Sequence, residues 1–509
     1  MSKKKKIMQL WLMICICFSF LSGCGDKQAS EKSTIATIDD IAGAKIGVQL
    51  GTTGDIFASD YEGDENGTEV IRYTKGADAV QALKQNKIDC VIIDEQPALA
   101  FCNKNPELQI LEEEFAVEDY ALVISKENPE LLEQVNAALD EIKKDGTLQA
   151  IIENYIGDET KGKSPYQKDE TLSRENGTLH VASNLEFPPY EYYENGVGVG
   201  IDIDLMQAIA DRLNMELVVT DMQFDSIIVS VQSGKADIGA SGFTITEERK
   251  KNINFSDTYT TSKQVVIVNS GSGAESLSFA EKFEQVFLYN NQWTYIPKGL
   301  LNTILITFFS GIIGVVLGVI VSNVRVAYER NDQKNKLIVF LNAVFKLYIT
   351  VFRGTPMMVQ LLITYYVIFA HSNISPLLVA VIAFGLNSGA YVSEAIRSGI
   401  TAIDLGQFEA GRSLGLTYGQ TIRYVILPQA IKVSLPAIFN EFIALLKESS
   451  IVGYIGLMDL TKAGDILRSN TYEAFLPLIA VALLYLIIVI IMTALVSKLE
   501  RKLKKDARL

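Results

Sequence analysis

Arg249 ends the run Ser241-Gly-Phe-Thr-Ile-Thr-Glu-Glu-Arg249, and its planar guanidinium can grip a carboxylate through two parallel N–H bonds, which a lysine cannot do. Thr244 and the amides around Gly242 add donors, and Thr52 and Thr53 stand ahead of a predicted helix, whose first amides favour an anion. Asp94 carries the opposite charge and suits an ammonium, while Phe187, Tyr190 and Phe224 offer apolar walls. Plainer readings stand beside these. Arg249 lies in a charged run from Glu247 to Lys251 and could be solvated surface, Asp94 before Glu95 could cap a helix, and Phe187 or Phe224 could be ordinary core. Redox and metal chemistry have little to work with: the chain has 2 histidines and 5 cysteines with no metal-ligand spacing. No metal site and no cofactor are expected. No Gly-x-x-x-x-Gly-Lys-Ser/Thr loop occurs, so the chain is not expected to be an ATP-hydrolysing enzyme.

The elements that must position these residues fall into two regimes. Residues 38–157 alternate short β-branched runs (Lys45 to Val48, Cys90 to Ile93, Tyr120 to Ile124) with amphipathic stretches at 77–86 and 129–156, the pattern of an α/β unit. Residues 158–177 are polar and read as a linker. A second α/β run fills 178–269, with strands at Thr178 to Ala182, Glu216 to Thr220, Ala236 to Ala240 and Val265 to Val268, and helices over 202–214 and 224–234. A second linker, 270–284, begins with the flexible Ser270-Gly-Ser-Gly-Ala274.

From about 285 to 500 the chain is strongly apolar. Spans are predicted near 300–324, 356–371, 375–393, 424–446 and 474–497, with 337–352 as an interfacial helix because it contains Lys346. Arg325, Arg330, Lys334 and Lys336 follow the first span, and the tail at 501–509 continues a basic stretch from Lys498. By the positive-inside rule both are cytoplasmic, which leaves the α/β half outside. Trp293 and Tyr295 sit where an outer aromatic belt would lie. The formal net charge of −14 comes largely from the α/β half and argues against nucleic acid as a partner.

The N-terminus carries basic Lys3 to Lys6 and an apolar Ile7 to Phe20, a secretion signal over 1–23. Leu21-Ser-Gly-Cys24 resembles the lipobox of bacterial lipoproteins, which implies lipidation of Cys24 and a tether over 24–37; an uncleaved anchor helix is the alternative. Cys90 and Cys102 could form one bridge or remain two buried thiols.

Between the third and fourth predicted spans the chain reads Gly406-Gln-Phe-Glu409-Ala410-Gly411-Arg-Ser-Leu-Gly415 and ends Ile426-Leu-Pro428. This resembles the EAA loop of bacterial ABC import permeases. Arg353-Gly-Thr-Pro-Met-Met-Val-Gln360, Ala390-Tyr-Val-Ser-Glu394-Ala-Ile-Arg397 and Lys447-Glu-Ser-Ser450 are similar to polar amino-acid permeases. The resemblance covers about 285–500 and implies a multi-pass cell-membrane protein with the loop and C-terminus cytoplasmic. It further implies a homodimer and a separate ABC ATPase engaged by Glu409, Ala410, Gly411 and Gly415. Gly411 stands where alanine is usual and is expected to loosen the helix slightly. Val452-Gly-Tyr-Ile-Gly456 has the look of a potassium filter, but Ile455 replaces the glycine that should follow the tyrosine.

Val181-Ala-Ser-Asn184-Leu-Glu-Phe187-Pro-Pro-Tyr190, Gly200-Ile-Asp-Ile-Asp204, Phe224-Asp-Ser-Ile-Ile and Ser241 to Arg249 resemble the first lobe of amino-acid-binding proteins. Gly47-Val-Gln49-Leu-Gly-Thr52-Thr53-Gly, Asp89 to Asp94 and Ile151 to Gly157 resemble the second lobe and its return helices. In the family the first lobe comes first; here the order is reversed, which implies a circular permutation joined through 158–177. Two half-domains exchanged between protomers are the rival. The resemblance implies a bilobed type II binding-protein fold that takes a free L-amino acid. Arg249, Thr244, Ser241, Gly242, Thr52 and Thr53 would hold its carboxylate, Asp94 its ammonium, and Phe187, Tyr190 and Phe224 its side chain. Asn184 and Gln49 stand at positions that face that side chain in the family. Loss of an Asp at 184 disfavours cationic ligands somewhat, though Glu186 could compensate. The expected role is capture and import of a polar amino acid; an amino-acid-gated channel or a non-transporting sensor are the alternatives.

Overall fold

A computed structural model describes residues 35–63, 65–157, 160–271, 278–330, 335–370, 372, 374–471 and 473–505. The signal over 1–23, Cys24 and most of the tether lie outside the described residues. Among the described residues the α/β half holds two larger sheets and a small antiparallel one made by Glu186–Phe187, Glu191–Glu194 and Val197–Val199. In the first, Lys45–Gln49 pairs in parallel with Glu69–Tyr73 and Cys90–Asp94, and the long strand Thr260–Asn269 runs antiparallel to Cys90–Asp94. Every residue of Cys90–Asp94 is buried, as a central strand covered on both faces requires.

The second sheet runs Glu216–Asp221, Thr178–Ser183, Ile238–Gly239, Val123–Ile124, Asn254–Phe255. Each larger sheet therefore contains a strand from the other half of the sequence. Val123–Ile124 sits in the second sheet, and Thr260–Asn269 sits in the first. The two crossings run side by side, with Ala116–Tyr120 antiparallel to Thr260–Gln264. The stretch read as one amphipathic run over 129–156 is two helices, Pro129–Lys144 and Thr147–Ile156, separated at Gly146 with φ +83°. Both pack against Ile201–Arg212 in the core of the second sheet.

The polar linker is a strap fastened to that helix and to the strand Glu216–Asp221 that follows it. Tyr166 Oη donates to Asp211 at 3.0 Å, Arg174 pairs with Asp211 at 2.7 Å, and Lys168 pairs with Glu216 at 2.7 Å. Cys90 and Cys102 are both free thiols, the first buried and the second half-buried; burial pushes Cys90 up to about 12.

Among the described residues the membrane half has five helical stretches long and apolar enough to cross a bilayer, Phe279–Glu329, Lys336–Gly354, Pro376–Thr401, Tyr418–Ile455 and Phe475–Arg501. The second candidate span by length and composition is not the expected 356–371. Lys336–Gly354 is itself long and apolar enough despite Lys346, and Met357–Ile368 is a short apolar helix that continues beyond a break at Thr355-Pro356. Proline cannot donate to the preceding turn, so carbonyls are freed at the break. Gln360 Nε2 donates to Phe352 O at 2.9 Å and to Thr355 O at 3.0 Å, and Asn387 Nδ2 donates to Phe352 O at 3.0 Å. Such satisfaction is what lets a broken helix exist at membrane depth. Tyr295–Arg330 and Pro376–Thr401 approach closely at a glycine on each helix. A Cβ at Gly314 would lie 2.5 Å from Ser388 Oγ, and one at Gly389 would lie 2.9 Å from Leu317 Cβ.

Candidate functional site

Between the sheets lies a cavity of about 20 Å³. Gln49, Thr52, Thr53 and Asp94 line it from the first sheet's side, and Asn184, Phe187, Phe224, Ser241 and Gly242 line it from the second. Local structure explains how the first group is aimed. Gln49 ends a buried strand, and the turn through Gly51 (φ +78°) brings Thr52 to the start of Thr53–Ser59, where its hydroxyl accepts from Asp55 N. Asp94 ends the central strand and heads Glu95–Lys104, but its side chain makes no capping bond to that helix. It accepts instead from the Tyr120 hydroxyl. Across the cleft Gln49 Nε2 donates to Asn184 Oδ1, and Asn184 Nδ2 donates to Met222 O at 2.9 Å. The volume is close to that of a single water, so the lobes stand closed and a larger ligand requires them to part. A void of about 920 Å³ lies elsewhere, where both lobes face 285–292 and 469–471.

Three expected site residues sit just behind the cavity wall. Tyr190 is buried, stacked on Phe187 with centroids 5.8 Å apart. Thr244 Oγ1 lies 2.9 Å from Thr53 Oγ1 and donates to Glu118 at 2.7 Å. Arg249 is 7% exposed, which excludes the solvated-surface reading; it donates to Thr244 O at 2.9 Å and to Gly51 O at 2.7 Å, and so ties one lobe to the other. Its guanidinium lies over Phe243 and Phe224 at 5.4 and 5.7 Å. The Gly242 amide, expected to serve an anion, donates to Asp202 Oδ2 at 2.9 Å in this closed form.

The electrostatics centre on residues the sequence did not single out. Glu118, on the crossing strand, accepts from Thr53, Thr244 and Gln264 through one oxygen, Oε2. Burial and then the Glu118 charge push Asp94 up to about 7, against the lowering effect of Tyr120. Burial also raises Glu118 and lowers Arg249. Behind Ser241 and Gly242 lie two more buried acids: Ser241 Oγ donates to Glu191 at 2.5 Å, and Tyr259 Oη donates to Asp202 at 2.7 Å. Burial drives Glu191 well up and Asp202 to about 6. Glu186 does not face the cavity. Its Oε1 is held at 2.8 Å by both Lys75 and Lys462; burial would raise its carboxyl, but the two lysines outweigh that and hold it at about 2. Its expected compensation for a cationic ligand is therefore already taken up by these two lysines.

The EAA-like segment forms the helix Leu405–Ser413, with Gly415 at φ +84° ending it. Glu409 and Ala410 are exposed, beside Leu405 and Leu414, which are 65% and 83% exposed. Gly411 is buried, and a Cβ there would lie 2.6 Å from Thr421 Cγ2. Its small size serves a close approach more than a loosened helix. The filter-like run forms a 3₁₀ helix, Ser449–Ile455, with Val452 and Ile455 in an apolar core. That geometry does not present a row of inward carbonyls.

Comparison with known proteins gives two bodies of likeness. The family profile for bacterial extracellular solute-binding proteins, family 3, matches residues 64–158 and 179–470. The arginine transport system permease protein ArtQ of Bacillus subtilis (strain 168) is 41% identical over 217 residues, 42% of this chain and 95% of ArtQ. The putative glutamine transport system permease protein GlnP of Rickettsia bellii (strain RML369-C) is 37% identical over 230 residues, 43% of this chain and 98% of GlnP. A crystal structure of an amino acid ABC transporter with histidines is 40% identical, covers 45% of this chain and 99% of its own, and has a TM-score of 0.39. These relatives are binding proteins and permeases.

Proposed function

The chain belongs to the bacterial extracellular solute-binding proteins, family 3, and is an amino-acid ABC importer component of the membrane; we propose that it captures a free polar L-amino acid between its two lobes and passes it to its own membrane helices. The observation that carries the reading is the cavity lined by Gln49, Thr52, Thr53 and Asp94 on one side and Asn184, Phe187, Phe224, Ser241 and Gly242 on the other. Opening would free Arg249, Thr244 and the Gly242 amide from their closed-form partners for the carboxylate, and Asp94 would take the ammonium. The receptor is a single-chain circular permutant, with 178–269 as the first lobe, 38–157 as the second lobe and return helices, and 158–177 as the join. The strands that each half lends to the other sheet support this.

The receptor faces outside, anchored additionally through Cys24, and the C-terminus and Leu405–Ser413 lie in the cytoplasm. There the short helix and turn that carry Glu409, Ala410, Gly411 and Gly415 dock into a groove on a separate ABC ATPase, a role supported by the exposed apolar Leu405 and Leu414. Two copies pair through the membrane half, and the amino acid crosses by alternating access as ATP binds below. Calorimetric titration of the full chain in detergent against the twenty common L-amino acids tests the reading. One-to-one binding of a polar member is expected; absence of binding by any of them would overturn it.

A further inference from the structure

The helix Leu460–Thr471 lies between the fourth and fifth candidate spans, and it touches both lobes at once. Lys462, Asp465 and Arg468 are spaced three apart and share one helical face. Lys462 Nζ pairs with Glu186 at 2.8 Å and with Asp221 at 3.0 Å, both on the Asn184 side of the cleft. Asp465 pairs with Lys75 at 3.2 Å, and Arg468 pairs with Asp78, both on the Gln49 side. Lys75 in turn pairs with Glu186 at 2.8 Å across the mouth of the cleft. Lys75, Glu186, Asp221 and Lys462 have side chains 4–6% exposed, so each charge depends on its partners rather than on water.

From this arrangement we propose that Leu460–Thr471 reads lobe closure: its three charges find their partners together only when the two lobes have met. Parting the lobes separates Lys75 from Glu186 and pulls the Asp465 and Arg468 partners away from those of Lys462. A buried charge stripped of its partner is strongly disfavoured, so the helix cannot stay docked on both. Docking and closure are then linked in both directions: an amino acid that closes the cleft tightens docking, and docking tightens the amino acid. Sequence pattern supports the role, since a Lys-Asp-Arg stripe on a short amphipathic helix outside the bilayer has no use in lipid. The inference rests on the receptor reading above and adds to it the surface through which closure is sensed.

The test is a cross-link in the full chain in proteoliposomes, with Asp78→Cys and Arg468→Cys introduced and Cys90 and Cys102 replaced by alanine. Disulfide formation is followed with and without an equimolar mixture of the twenty common L-amino acids, and binding is measured on the same preparation. The mixture is expected to speed cross-linking about tenfold, within the usual span of coupling between sites. Equal rates in a preparation that binds amino acid would overturn the inference and leave the receptor reading standing; failure to bind any amino acid would overturn both. A charge exchange guards against an uninformative variant. Asp78→Arg alone and Arg468→Asp alone should each lose amino-acid-dependent uptake, and the two together should recover it. A double variant no better than the singles would also overturn the inference.

Discussion

Gln49 and Asn184 meet across the cleft, Gln49 Nε2 donating to Asn184 Oδ1 at 3.3 Å although they stand 135 positions apart in the chain. Both are buried, at 8% and 3% exposure, and both line the cavity. Gln49 Oε1 also accepts from Gly76 N at 3.1 Å, so its amide orientation is fixed from behind. The pair sets what a ligand side chain meets when the lobes open and close again. Asn184→Asp places a carboxylate there without changing shape. We expect affinity for lysine or arginine to rise about tenfold relative to glutamine, a shift of about 1.4 kcal/mol. Competitive titration of the full chain measures the ratio, and an unchanged ratio would place the side-chain pocket elsewhere.

Arg249→Ala should abolish amino-acid binding and also lower the melting temperature of the receptor. The second effect follows because Thr244 O and Gly51 O each lose a charged donor, at a cost of about 1–3 kcal/mol for a buried group left unpaired. Arg249→Lys should recover part of the stability and little of the affinity, since one ammonium cannot reach both carbonyls and a ligand in the planar fork geometry. Equal affinity for the lysine variant would contradict the clamp.

Asp94 sets the expected pH dependence. Its carboxyl is raised to about 7 in the fold against an ordinary value of 3.8, so the folded state holds a proton that the unfolded chain releases. This contribution to stability is fully present below about pH 4 and is lost as pH rises through about 7. Binding runs the other way. An ammonium beside Asp94 favours the ionised form, so amino-acid affinity should fall as pH drops below about 7 and binding near pH 6 should release a proton. Calorimetry in two buffers of different ionisation enthalpy detects that proton, and its absence would remove Asp94 from the ammonium site.

Glu409→Lys should stop uptake while leaving amino-acid binding intact, because Glu409 is exposed on the helix Leu405–Ser413, far in sequence from the cleft. Transport assays beside binding on the same vesicles make the comparison. Unchanged uptake would remove the docking role from this helix.

Gly411→Ala tests the close approach to Thr421. The added Cβ would crowd Thr421 Cγ2, at a typical overpacking cost of about 1–3 kcal/mol, and uptake should drop. Thr421→Ser deletes that methyl, so the double variant should recover. Full uptake in the single variant would mean that the helix pair yields freely.

Much of this was legible because the informative residues are local in sequence. The Ser241 to Arg249 run, the Gly47 to Gly54 turn and the Glu409 to Gly415 helix each carry their chemistry within a few residues. The reversed order of the lobe-like segments was also legible, since it needs only the order of motifs. Glu118, Tyr120 and Gln264 were not, because a strand crossing between lobes has no pattern that marks which side chains turn toward the cleft. Lys75 and Glu186 were missed as partners for a related reason: each lies in a different half, and their third partner, Lys462, is 276 residues from Glu186. The break at Thr355-Pro356 was visible as a proline, but its repair by Gln360 and Asn387 depends on how helices pack.

Only residues 270–277 separate the last strand of the receptor from the capped helix that begins at Ser278. By contour length alone, eight residues span at most about 28 Å, from roughly 3.3–3.6 Å per residue. The receptor therefore meets its docking helix at an effective concentration in the millimolar range, whatever its abundance in the cell. Encounter becomes a first-order event, and a weak interface suffices for it. A charge stripe that would bind a freely diffusing receptor too loosely can, on a leash this short, cycle quickly between held and released.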